Sequence, residues 1–239
     1  MKILIIFQKV GKKLSAIPRP ASTVVLMDHL SRVYLTKRPE TMKFMGGFYV
    51  FPGGAVEQSD NVKDSNSIIN GIGNKTFELA HYVAAARELF EEVGVLVCKK
   101  EDGSTDQLGE ETEREYRRLL INGDLSFLQM LKKEGLQFEL DSLAYIGQII
   151  TPNRSRIRFD TRFFLTKLPK GQTPKPDLYE ISDTKWISPA DALTAYQNGE
   201  ISLAPPTIHT LKTIINYLKG APLTMPEFNL SDYMVDLIE

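Results

Sequence analysis

Apolar and polar positions change their period several times along the chain, and each change marks an element. Ser22-Thr23-Val24-Val25-Leu26-Met27 is a β-branched, apolar run, and Val33-Tyr34-Leu35-Thr36 follows it across a polar turn at 28–32. Runs of this kind bounded by turn residues predict a hairpin-like pair of strands. Phe48-Tyr49-Val50-Phe51 predicts a third, short strand, stopped by Pro52-Gly53-Gly54. Glycine there, lacking a Cβ, lets the backbone come close to a neighbour. Residues 58–75 are rich in Asn, Asp, Ser and Gly, show no period, and predict a surface excursion. A helical period then takes over. Leu79, Val83, Ala86, Phe90 and Val93 form one stripe, with Glu78, His81, Ala85, Glu88 and Glu92 opposite. This predicts a helix from Thr76 to Val93 with Gly94 as its C-cap. Val95-Leu96-Val97-Cys98 is the next predicted strand.

Residues 99–110 read as a charged loop, and residues 111–135 as two helical pieces around Asn122-Gly123-Asp124. That segment carries no visible chemistry and is expected to be an inserted helical cap or a dimer surface. Strands resume at Leu143 to Ile150 and at Arg156 to Thr166. In the latter, Ile157, Phe159, Thr161, Phe163 and Leu165 alternate with Arg156, Arg158, Asp160 and Arg162, so one face is apolar and the other basic. Lys185-Trp186-Ile187 predicts a short strand, Ser188 caps a helix with Pro189 near its start, and a final helix follows Pro205-Pro206 from Thr207 to Leu218. The apolar start, Met1 to Phe7, is ended by Gln8-Lys9 and reads as a strand, not a signal peptide.

Composition narrows the classes. The chain has 239 residues, 42% hydrophobic and 25% charged, with a formal net charge of −1. That suits one domain with insertions, at about 58–75 and 104–140, and gives no overall field toward nucleic acid or membrane. No stretch is long enough to span a bilayer. Cys98 is the only cysteine, which excludes an internal disulfide and a cysteine-cluster zinc site. Residues 236–239 carry no peroxisomal address, so the cytoplasm is the expected compartment.

Candidate chemistry collects at the end of the predicted helix. At 100° per residue, Glu88, Glu91 and Glu92 fall within about a quarter turn of one another. Glu88 and Glu92 repel as like charges at i,i+4, and all three sit where the helix dipole disfavours anions. A helix end that accepts this cost is a candidate for binding a hard cation through oxygen ligands. His81 lies on the same face two turns back and is expected to be a hydrogen-bonded structural histidine.

Arg87-Glu88-Leu89-Phe90-Glu91-Glu92-Val93-Gly94-Val95 matches the second half of the Nudix box, R-E-U-x-E-E-x-G-U with U aliphatic, and Gly54 supplies the leading glycine. The chain thus resembles the Nudix hydrolases, whose full box is G-x5-E-x7-R-E-U-x-E-E-x-G-U. Arg87 follows Gly54 by 33 positions, where an uninterrupted box has 14, so the excursion at 58–75 looks like an insertion inside the box. The middle glutamate is displaced: Leu79 stands eight before Arg87. The resemblance implies an α/β fold, the Nudix α/β/α sandwich, with a mixed β-sheet, the box helix on one side and the C-terminal helix on the other. It implies Mg²⁺ or Mn²⁺ as cofactor, Glu88 and Glu92 as principal ligands, Glu91 as ligand or water activator, and a carbonyl of Gly53 or Gly54 as a neutral ligand. Arg87 is placed to pair with Glu91 at i,i+4.

Upstream, Leu35-Thr36-Lys37-Arg38-Pro39, Lys43, Gly47 and Phe51-Pro52-Gly53-Gly54 resemble the signature of coenzyme A diphosphatases, L-L-T-x-R-[SA]-x3-R-x3-G-x3-F-P-G-G, in spacing throughout. Tyr34, Pro39 and Lys43 depart from it. The box insertion and the helical segment after it are similar to the layout of the peroxisomal mammalian coenzyme A diphosphatase subfamily. The substrate so implied is coenzyme A or acyl-coenzyme A. The alternatives are a pyrophosphatase for NADH, ADP-ribose, a nucleotide sugar or capped RNA, and a nucleotide-sensing domain without catalysis. Arg38 and Lys43 are candidate phosphate contacts, as are Arg158 and Arg162 on the basic strand face, set against pairing with Asp160. Tyr49 is a candidate adenine platform, set against core packing. Glu180, six before Trp186, is the candidate base, with Asp183 as the alternative.

Overall fold

Strand β1 (Arg19–Met27) is the axis of the molecule, and its alternation assigns the two halves of the core. Val24 and Leu26 point into one apolar cluster and Val25 and Met27 into the other, all of them buried. A strand covered on both faces needs a layer on each side. The computed structural model supplies both. It describes residues 16–62, 68–71, 76–100, 103–104, 108–153 and 155–233. The predicted strand at the N-terminus, much of the excursion at 58–75 and the C-terminal residues 236–239 lie outside the described residues.

The remaining strands of the main sheet are β2 (Val33–Lys37), β3 (Tyr49–Val50), β4 (Gly53–Ala55), β8 (Ala144–Ile150), β9 (Phe159–Lys167) and β10 (Asp183–Ile187). Their order is β10-β2-β1-β9-β8, with β3 on β2 and β4 on β1. The sheet is mixed, since β1 runs parallel to β9 while its pairings with β2 and β4 are antiparallel. On one face lies α1 (Ala80–Val93), against Val24, Leu26, Tyr34 and Phe164. On the other lies α5 (Pro205–Leu218), through Ile208, Leu211 and Ile214, with α4 (Pro189–Gln197) beside it. This is the α/β sandwich, with a mixed sheet and a helix on each side, that the resemblance implies.

Helix α1 begins four residues later than its period predicts, and it is buried on nearly every side, not along one stripe. The cause is a second layer outside it. Helices α2 (Glu110–Ile121) and α3 (Phe127–Glu134) place Tyr116, Leu120, Phe127, Met130 and Leu131 in the same apolar cluster as α1. The segment expected as a cap or dimer surface therefore packs its apolar face inside its own chain. A small sheet, β5 (Ile69–Asn70), β7 (Leu136–Glu139) and β6 (Cys98–Lys100), closes that side. Neither β4, β5 nor β7 has a period long enough to predict. Cys98 is buried in this cluster, and burial pushes its thiol pKa far up, so it acts as a core residue. Among the described residues no helix is long and apolar enough to cross a membrane.

Candidate functional site

A cavity of about 370 Å³ opens where β1, β4 and β9 meet the end of α1. Register explains its walls. Ala21 and Thr23 of β1 stand beside Thr161 and Phe163 of β9 and beside Ala55 and Gly53 of β4. These side chains face one way, and all line the cavity. Glu88 and Glu92 enter from α1, Glu180 from the loop before β10, and Arg19 and Arg38 from the basic side. Met42, Phe44, Met45 and Phe159 make the apolar side, with the rings of Phe44 and Phe159 edge to face at 5.3 Å. The wall thus combines carboxylates, guanidinium groups and apolar, aromatic side chains.

The glycines are required where they stand. Gly53 has φ +154°, and a Cβ there would come within 2.3 Å of the Ser22 carbonyl oxygen. A Cβ on Gly54 would sit 2.4 Å from Glu88 Oε1. The Gly53 N–H donates to Glu92 Oε2 at 3.2 Å. The sequence expects a carbonyl of Gly53 or Gly54 at the ion; the contact Gly53 makes with the site's carboxylates is through its N–H.

Arg87 is the hub of the carboxylates. Its Nε donates to Asp60 Oδ1 at 2.8 Å, and Nη2 to Asp60 Oδ2 at 3.0 Å and to the Ala55 carbonyl at 2.9 Å. Nη1 donates to Glu91 Oε2 at 2.8 Å and to Glu88 Oε1 at 3.0 Å. All five guanidinium donors are used. The i,i+4 pairing with Glu91 has the expected geometry. Asp60 is the residue that sequence reasoning missed. It is 1% exposed, and Glu57 N–H also donates to its Oδ2 at 2.8 Å. A signal was available: counted forward from Gly54, Asp60 stands where the box puts its middle acid. Counting back from Arg87 reaches Leu79, because the insertion lies between Asp60 and α1.

Electrostatically the site is short of positive charge. Burial, opposed by Arg87, pushes Glu88 up to about 7 and Glu91 up to about 8. Glu92 is raised well above the usual carboxylate range, by burial and by the charges of Glu88 and Glu180, with Arg38 and the Gly53 N–H acting against it. Three carboxylates, Asp60, Glu88 and Glu91, share one buried guanidinium, and Glu92 beside them is held by the Gly53 N–H. The donor set is hard oxygen throughout, the kind that suits Mg²⁺ or Mn²⁺. Glu88 and Glu92 fit such an ion from the cavity wall, whereas Glu91 is turned to Arg87 and does not line the cavity. Among the described residues no group of three or more His, Cys, Asp or Glu side chains is already gathered as a metal cage.

The other predicted residues divide. Arg38 lines the cavity, anchored by Nε to the Phe44 carbonyl at 3.1 Å. Arg19, unremarked in the sequence, lines it as well. Lys43 is exposed and does not. The basic face of β9 points away from the cavity, because its Phe159, Thr161, Phe163 face is the one turned inward. Arg158 is buried and donates to the carbonyls of Thr151 and Ala16. Arg162 pairs with Asp160 and lies over the Phe77 ring. Tyr49 is buried, its hydroxyl bonded to Asp183, so both are structural and outside the cavity. His81 Nδ1 lies 3.2 Å from the Ala21 carbonyl oxygen and 3.3 Å from Ser22 Oγ, and burial, then Arg162, depress its pKa. It is a structural, neutral histidine.

Comparison with known proteins gives the site its relatives. The family model described as the NUDT19 Nudix domain matches residues 74–214, more than half of the chain. The acyl-coenzyme A diphosphatase NUDT19 of Xenopus laevis is 26% identical over 77% of this chain and 60% of its own length. Its human counterpart is 25% identical over 78% of this chain and 61% of its own. The chain therefore spans about three fifths of the length of these curated relatives. The crystal structure of a NUDIX hydrolase from Alicyclobacillus acidocaldarius superposes with a TM-score of 0.75 at 28% identity, covering 89% of this chain and 99% of that one.

Proposed function

This chain belongs to the NUDT19 Nudix domain family, and on that premise we propose that it hydrolyses the diphosphate bond of coenzyme A or an acyl-coenzyme A. The products are 3′,5′-adenosine diphosphate and a phosphopantetheine. The observation that carries the reading is the make-up of the cavity wall, which brings together Glu88, Glu92 and Glu180, the guanidinium residues Arg19 and Arg38, and the apolar side chains of Met42, Phe44, Met45 and Phe159. A metal-bound diphosphate between a nucleotide and an arm that ends in an acyl chain offers a group to each of these. The names of the Xenopus and human relatives support the choice of substrate.

In this reading Glu88 and Glu92 hold the Mg²⁺ or Mn²⁺ ion, which when bound supplies Lewis-acid stabilisation of the phosphoryl oxygens. Arg87 fixes the direction of Glu88 and Glu91. Arg38 binds substrate phosphate, and Arg19 stands at the same wall for a second anionic group. Glu180, exposed at the cavity mouth, takes the proton of the attacking water. The chain acts as one Nudix domain with two insertions, on a small-molecule substrate, and the unpaired, buried Cys98 suits a cytoplasmic setting.

The test is a panel of coenzyme A, acyl-coenzyme A, NADH, ADP-ribose and capped RNA with Mg²⁺, for wild type and Glu92→Gln. Coenzyme A thioesters should be cut fastest, and Glu92→Gln should lose that activity. Turnover of another member at higher kcat/KM would replace the substrate, and no turnover at all would support the nucleotide-sensing alternative.

A further inference from the structure

We propose that Arg117, on the inserted helix α2, is a positioning residue for the carboxylate site. It locks the last turn of α1 and the loop bearing Glu180 into one frame. The proposal rests on the metal-dependent reading above.

An α-helix ends with four carbonyls that have no partner within it. In α1 these belong to Phe90, Glu91, Glu92 and Val93, in the turn that carries two of the site's carboxylates. Phe90 is satisfied locally, by Gly94 N–H at 2.9 Å. The other three are satisfied from outside. Arg117 Nε donates to the Glu91 carbonyl at 3.0 Å and Nη2 to the Glu92 carbonyl at 3.2 Å. The 175–177 backbone supplies the rest, Lys175 N–H to Val93 at 2.7 Å and Asp177 N–H to Glu92 at 2.8 Å. Arg117 also reaches across to that loop, Nη1 donating to the Lys175 carbonyl at 2.9 Å. Glu113, one turn back on α2, ties both cations, at 2.7 Å from Lys175 Nζ and 3.6 Å from Arg117 Nη1.

One planar fork thus joins three carbonyls on two separate segments, which a lysine ammonium cannot do at a single point. Glu180 follows Asp177 by three residues, so the same clamp sets where the loop meets the cavity. The cation also sits at the negative end of the α1 dipole, where it offsets the cost of ending a helix in Glu88, Glu91 and Glu92. Its side chain is 12% exposed. Arg114 on the same helix is 76% exposed and pairs only with Glu110 among the described residues, which makes it the control.

The experiment titrates substrate-free protein with Mn²⁺, reading the free ion by electron paramagnetic resonance, with melting followed by calorimetry and kcat and KM measured for coenzyme A. Arg117→Ala should bind Mn²⁺ roughly tenfold or more weakly and lose kcat by a similar factor, with KM within about twofold of wild type. Arg117→Lys should fall between, and Arg114→Ala should match wild type. Wild-type Mn²⁺ affinity in folded Arg117→Ala would overturn the proposal, as would an equal loss in Arg114→Ala. If Arg117→Ala does not fold, Arg117→Gln, which keeps the stem and some donors, is read by the same criterion. A wild type that binds Mn²⁺ but cuts no nucleotide refutes the hydrolase reading and leaves the positioning role to be decided by the Mn²⁺ affinities alone.

Discussion

Removing the Asp60 carboxylate should destabilise the protein far more than its place in a polar loop suggests. Asp60 and the Arg87 side chain are 1% and 4% exposed, and they meet through two parallel bonds of 2.8 and 3.0 Å. Deleting one partner of a buried pair costs roughly 3–5 kcal/mol; Arg87 keeps Glu88 and Glu91 as counter-charges, so Asp60→Ala, which orphans two of its buried donors, belongs at the lower end of that range. A solvated surface pair would give about 0–1 kcal/mol. Against a total stability of about 5–15 kcal/mol, the larger figure lowers the melting temperature by on the order of 10 °C. Asp60→Ala also frees Glu57 N–H, which donates to the same carboxylate. Urea unfolding of wild type, Asp60→Ala and Asp60→Asn measures the loss, with the asparagine expected between the other two because it keeps an acceptor without the charge. Substrate-free Mn²⁺ affinity should fall in parallel, since Arg87 would no longer hold Glu88 and Glu91 in place. A loss below about 1 kcal/mol for Asp60→Ala would refute the reasoning, because Arg87 would then be solvated and Asp60 would not be its anchor.

Gly54→Ala should weaken Mn²⁺ binding without unfolding the sheet, because the new methyl stands 2.4 Å from Glu88 Oε1 and the carboxylate must swing away; isothermal titration reads it. Arg38→Ala should raise KM for coenzyme A more than it lowers kcat, as its guanidinium lines the cavity; steady-state kinetics decide. Asp28 closes the turn between β1 and β2, accepting from Leu30 N–H at 2.9 Å, Arg32 N–H at 2.8 Å and Arg32 Nε at 2.7 Å. Burial works against its ionisation, but the backbone N–H and guanidinium of Arg32 outweigh it and hold its carboxyl below the usual range. A lowered folded pKa means stabilisation that is complete above the unfolded value near 4 and lost as pH falls through the folded one. The destabilisation by Asp28→Asn, measured by urea unfolding, should therefore be clear at pH 7 and shrink well below pH 4.

What could be read from the chain follows from how local its cause is. The α1 carboxylates and the strands β1, β2, β8, β9 and β10 are set by spacing within a few residues and lie within a few residues of where the pattern puts them, whereas the glycine stop continues as strand β4. The basic face of β9 was equally legible, yet its use was not. Alternation gives two faces, but which of them meets the cavity depends on β1 and β4 lying alongside, and that is a tertiary fact. The placing of Arg158 and Tyr49 off the cavity was hidden for the same reason, since their partners, Ala16 and Asp183, are 142 and 134 residues away.

The two insertions show the limit most clearly, because both read as segments without chemistry. One begins just after Asp60, so the box keeps its acid on the glycine side, and Asp60 reaches Arg87 by folding back over 27 residues of sequence. The other presents Arg117 to the Glu91 carbonyl from 26 residues downstream. The last turns of α1 looked like an uncompensated concentration of negative charge when read alone. In the fold Arg87, buttressed by Asp60, holds the carboxylates from inside the helix, and Arg117 holds the carbonyls from outside it. The electrostatic cost of that helix end is therefore met by one cation within the box, Arg87, and one that the second insertion brings to it, Arg117.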